Sequence, residues 1–127
     1  MKTALLLTNS AATHRLFVDV LGQNTNLVLL PAPTEPSREK FDALFATWLK
    51  LADAVILDAA SLGAIARAGI ESLNAVPEDQ RPAIVVRATE QQHALLPEAS
   101  DWLAVSDADT ADQLREELGS FFELRDT

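Results

Sequence analysis

The 127-residue chain contains no cysteine, which excludes disulfides and thiolate metal sites and is compatible with a reducing compartment. It also lacks any apolar run near the ~18 residues that a membrane span requires. The amino terminus, Met1-Lys2-Thr3 followed by Ala4 to Leu7, has only the outline of a signal peptide. Thr8-Asn9-Ser10 interrupts its apolar core, where such a segment needs roughly 7–15 residues. There is no internal repeat, linker or low-complexity segment. Positive charge is scarce: 10 Lys and Arg stand against 19 Asp and Glu, for a net charge of −9. A polyanion such as DNA is repelled by that balance, so direct nucleic-acid binding is not expected. The acidity serves solubility or matches a basic partner surface. The two histidines, His14 and His93, have no Ser, Cys or paired ligand pattern beside them and are expected at the surface. No metal site, cofactor motif or catalytic set follows from these residues, and a soluble cytoplasmic protein that is not an enzyme is expected.

What is present is hydrophobic patterning. Hydrophobic residues make up 48% of the chain, which suits one globular domain over residues 1–127 with a single core. Four short apolar blocks stand out: Ala4-Leu5-Leu6-Leu7, Leu27-Val28-Leu29-Leu30, Ala54-Val55-Ile56-Leu57 and Ala83-Ile84-Val85-Val86. A fifth, Trp102-Leu103-Ala104-Val105, is weaker. Continuous blocks of this length predict strands covered on both faces.

Helical patterns separate them. Leu16, Phe17, Val20 and Leu21 share a face that Gly22 closes, and Thr13 is the expected N-cap of that helix. Ser37 caps a helix carrying Phe41, Leu44, Phe45, Trp48 and Leu49 at helical spacing, with Trp48 as core or core-edge packing. Ser61 is the expected cap of a small-residue helix carrying Leu62, Ile65, Ala66, Gly69, Ile70 and Leu73. Thr89-Glu90-Gln91-Gln92 and Thr110-Ala111-Asp112-Gln113 are capping boxes. The first opens a helix that Pro97 stops after about two turns. The second opens a helix lined by Leu114, Leu118, Phe121 and Phe122. Five strands alternating with five helices predict an α/β, doubly wound parallel sheet with helices on both faces.

In such a sheet the carboxyl ends of the strands form the working edge. Here that edge receives Thr8-Asn9 after the first strand, Asp58 after the third, and Arg87-Ala88 after the fourth. The lengths and these end-residues together resemble the receiver domain of two-component response regulators, along essentially the whole chain. The resemblance implies a flavodoxin-like five-stranded sheet in the order 2-1-3-4-5. It also places Asp58 at the phosphoacceptor position, Thr8 and Asn9 at an acidic pair, and Arg87-Ala88 at a hydroxyl-Ala pair. The run Ala99-Ser100-Asp101-Trp102-Leu103-Ala104-Val105-Ser106 then falls on the family's last strand, with Val105 at the position of the Lys that the family typically carries. Phosphoryl transfer to a carboxylate needs a divalent cation, and Mg²⁺ prefers several hard oxygen ligands. One carboxylate, no Lys and a bulky Arg imply a degenerate receiver, a non-catalytic pseudo-receiver acting by protein–protein interaction. Its partner is expected to be another protein, a second copy or a fused output domain. The expected interaction face carries Gln91, Leu95, Trp102, Ala104 and Arg115.

Two other readings remain open at this point. A phosphorylatable atypical regulator would still use Asp58. A small electron carrier would use Thr8-Asn9-Ser10-Ala11-Ala12-Thr13, which resembles the flavodoxin phosphate loop for flavin mononucleotide. Ala11 in place of glycine and the absence of an aromatic in Asp58-Ala59-Ala60-Ser61-Leu62-Gly63 weigh against the flavin. The sharpest expectation is geometric: Asp58 and Arg87 end neighbouring strands and should form an ion pair.

Overall fold

The structure is a computed structural model, and it describes residues 2–22, 25–96 and 102–126. Five parallel strands form one sheet: β1 (Lys2–Leu7), β2 (Thr25–Leu30), β3 (Ala54–Asp58), β4 (Ala83–Ala88) and β5 (Leu103–Ser106). Their order is β2-β1-β3-β4-β5, the order expected. The central strands are buried along their length, which explains why they read as unbroken apolar blocks rather than as alternating ones.

Alternation reappears in three dimensions as two cores in place of the single one expected, because the sheet separates the residues that point to its two faces. Leu5, Leu7, Val55, Leu57, Ile84 and Val86 face one side, where they meet Phe41 and Phe45 of α2 (Arg38–Trp48). The short α3 (Ala59–Leu62) and α4 (Ala66–Ala75) complete that layer. Ala4, Leu6, Ala54, Ile56, Val85 and Val105 face the other side, against Phe17 of α1 (Ala11–Leu21) and Leu114 and Leu118 of α5 (Ala111–Asp126). Helices therefore cover both faces. Trp48 packs half-buried against the α2 core, as its spacing predicts.

The local signals are mostly used as expected. Ser37 caps α2 through Lys40 N, and Gly22 ends α1 with φ +64°. Thr110 and Gln113 form a reciprocal capping box at α5. Three features differ. The cap of α1 is Ser10, whose hydroxyl accepts from Thr13 N, while Thr13 itself is buried inside the first turn. Helix starts directly off β3 at Ala59, so Ser61 lies within the first turn and caps nothing. Gly63, at φ +61° and ψ −128°, then breaks the helix in a backbone state that L-residues rarely adopt, and a single 3₁₀ turn leads into α4. Third, the box at Thr89 and Gln92 forms, but it opens only the 3₁₀ turn Gln92–Leu95 instead of a two-turn helix. Pro97 and Ala99 to Asp101 lie outside the described residues. Among the described residues no helix is long and apolar enough to cross a membrane.

Candidate functional site

Strand register builds the site. Asp58 is paired with Arg87, and Arg87 with Val105, at the carboxyl edge of the sheet. Leu7 pairs with Leu57, so Thr8 emerges beside Asp58. Counting along β3, Asp58 shares its side with Ala54 and Ile56, the side that faces α1 and α5. Arg87 follows Val85 in the same way. All these side chains thus reach the same pocket under the start of α1.

Asp58 is fully buried and both of its carboxylate oxygens are engaged. Arg87 Nη1 donates to Oδ1 at 2.9 Å, and the Thr8 hydroxyl donates to Oδ2 at 2.7 Å. Burying a carboxylate without partners is costly, and this arrangement supplies both a counter-charge and a neutral donor. The Arg87 side chain is only 15% exposed. It meets the carboxylate through one nitrogen rather than as a two-pronged fork, because Nη2 donates instead to the main-chain oxygen of Asp107 at 3.0 Å. Arg87 thereby ties β3 to the turn after β5. Its Nε is buried with no acceptor among the described residues.

Ser61, displaced from its expected cap position, joins this network. Its hydroxyl accepts from Asn9 N at 3.0 Å and lies 3.2 Å from the Asp58 carbonyl, to which it donates. It also lies 3.0 Å from the Thr8 hydroxyl. Thr8 has one proton, and Asp58 takes it, so Thr8 Oγ1 can only accept from its other neighbours. It accepts from Ser10 N at 3.0 Å. The loop after β1 is thus fastened to the loop after β3 by hydroxyls. Gln92 adds a second fastening, donating from Nε2 to the Ala59 carbonyl at 2.8 Å.

The predicted site residues do not all belong to this network. Asn9 contributes its backbone N–H, and its side chain is exposed. Val105 is buried among the α1–α5 core residues, and Ala88 is buried in the opposite core. Ser61, Gln92 and the Asp107 carbonyl were not among the residues expected at the site. Ser61 carried a legible signal, a hydroxyl three residues past a strand-ending Asp, but the same signal describes a cap. Among the described residues no group of three His, Cys, Asp or Glu converges to hold a metal ion.

The expected interaction face is divided. Gln91, Leu95 and Ala104 are exposed near the β5 edge. Trp102 packs half-buried against the α2 core, its Nε1 buried without an acceptor among the described residues. Arg115 turns the other way, bridging Asp112 on its own helix and Asp19 of α1 at 2.7 Å each. It belongs to the α1–α5 seam.

The sequence matches no protein-family model and no curated protein. Solved structures do match. A response regulator receiver domain (CheY-like) from Methylobacillus flagellatus is 18% identical, with a TM-score of 0.56 over 95% of this chain and 98% of that one. A signal receiver domain of a two-component signal transduction histidine kinase from Clostridium thermocellum is 16% identical, with a TM-score of 0.61 over 96% of this chain and 98% of that one. At these identities the likeness is one of fold, and it spans nearly the whole of both partners. The chain has the architecture of a receiver domain, with a capped 3₁₀ turn after β4 in place of the helix expected there.

Proposed function

We propose that this domain is a pseudo-receiver: a regulatory module that signals through protein contacts and does not run the Mg²⁺-dependent cycle of Asp phosphorylation. The observation that carries the reading is the buried ion pair between Asp58 and Arg87. An aspartyl nucleophile needs a free oxygen and an approach path. Here one oxygen faces a guanidinium, the other a hydroxyl, and the residue has no exposed surface. The donor set also does not fit Mg²⁺, which demands several hard oxygens in octahedral geometry. Thr8 and Asn9 stand where two more carboxylates would be needed, and Arg87 already neutralises the one present. The same occupancy weighs against Asp58 as an atypical phosphoacceptor. The flavin reading also weakens, because the Thr8 hydroxyl gives its proton to Asp58 and the Thr13 N–H is taken by Ser10, which removes two of the donors a phosphate there would use.

For the output, the exposed Gln91, Leu95 and Ala104 beside β5 are the surface proposed for a protein partner or a second copy, with Arg115 removed from that set. The acidic balance of the chain favours a basic partner.

The test is chemical. Acetyl phosphate, or beryllofluoride with Mg²⁺, should leave intact mass and the amide spectrum of the protein unchanged. A covalent phosphoryl adduct that disappears in Asp58→Asn would overturn the proposal.

A further inference from the structure

A second concavity lies on the opposite side of the sheet. α2 and α4 touch closely at Gly69, where an added Cβ would sit 2.9 Å from Phe41 Cε1. Beyond that contact the facing residues are small on α4, Ser72 and Ala75, and a groove of about 560 Å³ opens. That size is within the roughly 300–1,000 Å³ range of small-molecule sites. Its walls are apolar: Phe45, Ala46 and Leu49 on one side, Ala75, Val76 and Pro77 on the other.

The polar groups at the groove settle what it would accept. Ser72, fully buried, donates to Asp42, and the other Asp42 oxygen faces Arg38 at 3.7 Å. Asp42 and Arg38 therefore answer one another at one end. Gln80 is uncharged. Lys50, at the other end, has no hydrogen-bond or ion-pair partner among the described residues. Lys50 is exposed, so water solvates its ammonium, and no carboxylate among the described residues competes for it in a protein where acids outnumber bases 19 to 10. It is free to receive an anionic head at the edge of the apolar groove. Lys50 is eight residues beyond Asp42, which along helical backbone is roughly 12 Å.

We propose that this groove binds a single-chain aliphatic carboxylate, with its headgroup at Lys50 and its chain running between Phe45, Ala46 and Val76 toward Ser72. The fixed charges select the orientation. A carboxylate at the other end would meet Asp42, and a cationic head would meet Lys50. The span suits a chain of about ten carbons, since roughly 12 Å separates the cation from the end occupied by Asp42. A longer chain would have to leave the groove past the Arg38–Asp42 pair. The groove faces the α2–α4 side whereas Asp58 and Arg87 face α1 and α5, so its test stands independently of the receiver reading.

The experiment is titration calorimetry of the full chain with decanoate, kept below its micelle-forming concentration. Saturable binding at one per chain is expected, with decylamine at least about tenfold weaker because its head meets Lys50. Lys50→Glu should weaken decanoate about tenfold, and Lys50→Arg should not. Ala46→Trp and Ala75→Trp, at exposed positions on the two walls, should each abolish binding while far-ultraviolet circular dichroism is retained. Two walls are tested so that misfolding of one variant leaves the other decisive. Absence of saturable heat with decanoate, equal affinity for decylamine, or undiminished binding in a folded Trp variant would overturn the proposal.

Discussion

At the scale of single residues, the site turns on what Arg87 does for Asp58. Taking a carboxylate and a guanidinium out of water is expensive, and their attraction repays this only when the remaining polar atoms are also satisfied. Thr8 and the Asp107 carbonyl provide most of that satisfaction, and Arg87 Nε is the atom left over. The pair is therefore better understood as a lock on geometry than as a large net source of stability. Breaking it from one side is another matter, because a buried charge is then stranded. Arg87→Ala should cost about 3 kcal/mol in denaturant unfolding, near the lower end of the range for buried pairs. Thr8→Val, which leaves one Asp58 oxygen without a donor, should cost about 1–3 kcal/mol. A double-mutant cycle between Asp58→Ala and Arg87→Ala should give coupling well above the ~0–1 kcal/mol of exposed pairs. Coupling near zero would mean that Asp58 and Arg87 are held independently, and the lock would be refuted.

At the scale of elements, what could be read in the sequence and what could not divide along a physical line. Strands were legible because two-sided burial leaves an uninterrupted apolar record, and the Asp58–Arg87 pair was legible because strand ends in a parallel sheet fall into register. The hydroxyl residues were not. Ser10, Thr13 and Ser61 are chemically alike, and which one caps depends on where the chain leaves the strand, a tertiary matter. The helix expected after Thr89 is absent for a different reason. Its capping box forms as written, but a cap satisfies only the first turn. Continuing a helix needs an apolar face to bury; Gln91, Gln92 and His93 offer none, Leu95 is exposed, and Leu96 alone of this turn packs against the core. Close helix contacts are equally hidden, and glycine shows how much they matter. Gly69→Ala on α4 gains helix propensity of ~1 kcal/mol, yet it presses on Phe41, which is fully buried and has nowhere to go. Overpacking of this kind costs about 1–3 kcal/mol, so a net loss is expected. The same substitution at Gly119, on α5 with open space around it, should stabilise by about 0.5–1 kcal/mol. Thermal melts of the two variants should shift in opposite directions.

At the scale of the whole molecule, the excess of acids over bases brings some carboxylates close to one another. Glu117 on α5 is such a case. Burial raises its pKa above the ordinary Glu value, and the charge of Asp109, a side-chain hydrogen bond with Asp109 and the charge of Glu116 push it the same way. Asp109 is itself occupied, accepting from Ser106 N at 3.2 Å, so it is held where it opposes Glu117. The direction of the linkage follows. A folded-state pKa above the unfolded one means that the folded protein binds the proton more tightly. The contribution of Glu117 to stability is therefore fully present below the unfolded Glu pKa and is lost as pH rises through the raised folded value. At neutral pH the ionised side chain is a small penalty that the fold carries. Glu117→Gln keeps an amide that can donate to Asp109 and removes the charge, so it should be more stable than the parent at pH 7.5. For a half-buried surface group the gain should be a few tenths of a kcal/mol, within the usual ~0.5 kcal/mol scale of surface changes. The two proteins should converge as pH falls below the ordinary Glu range, where the parent is protonated as well. Parallel denaturation curves at pH 7.5 and pH 4, with the Glu117 carboxyl followed by NMR titration, measure both parts. A pH-independent difference between the two proteins, or a Glu117 that titrates below the ordinary value, would show that local packing and not this cluster of like charge governs the helix.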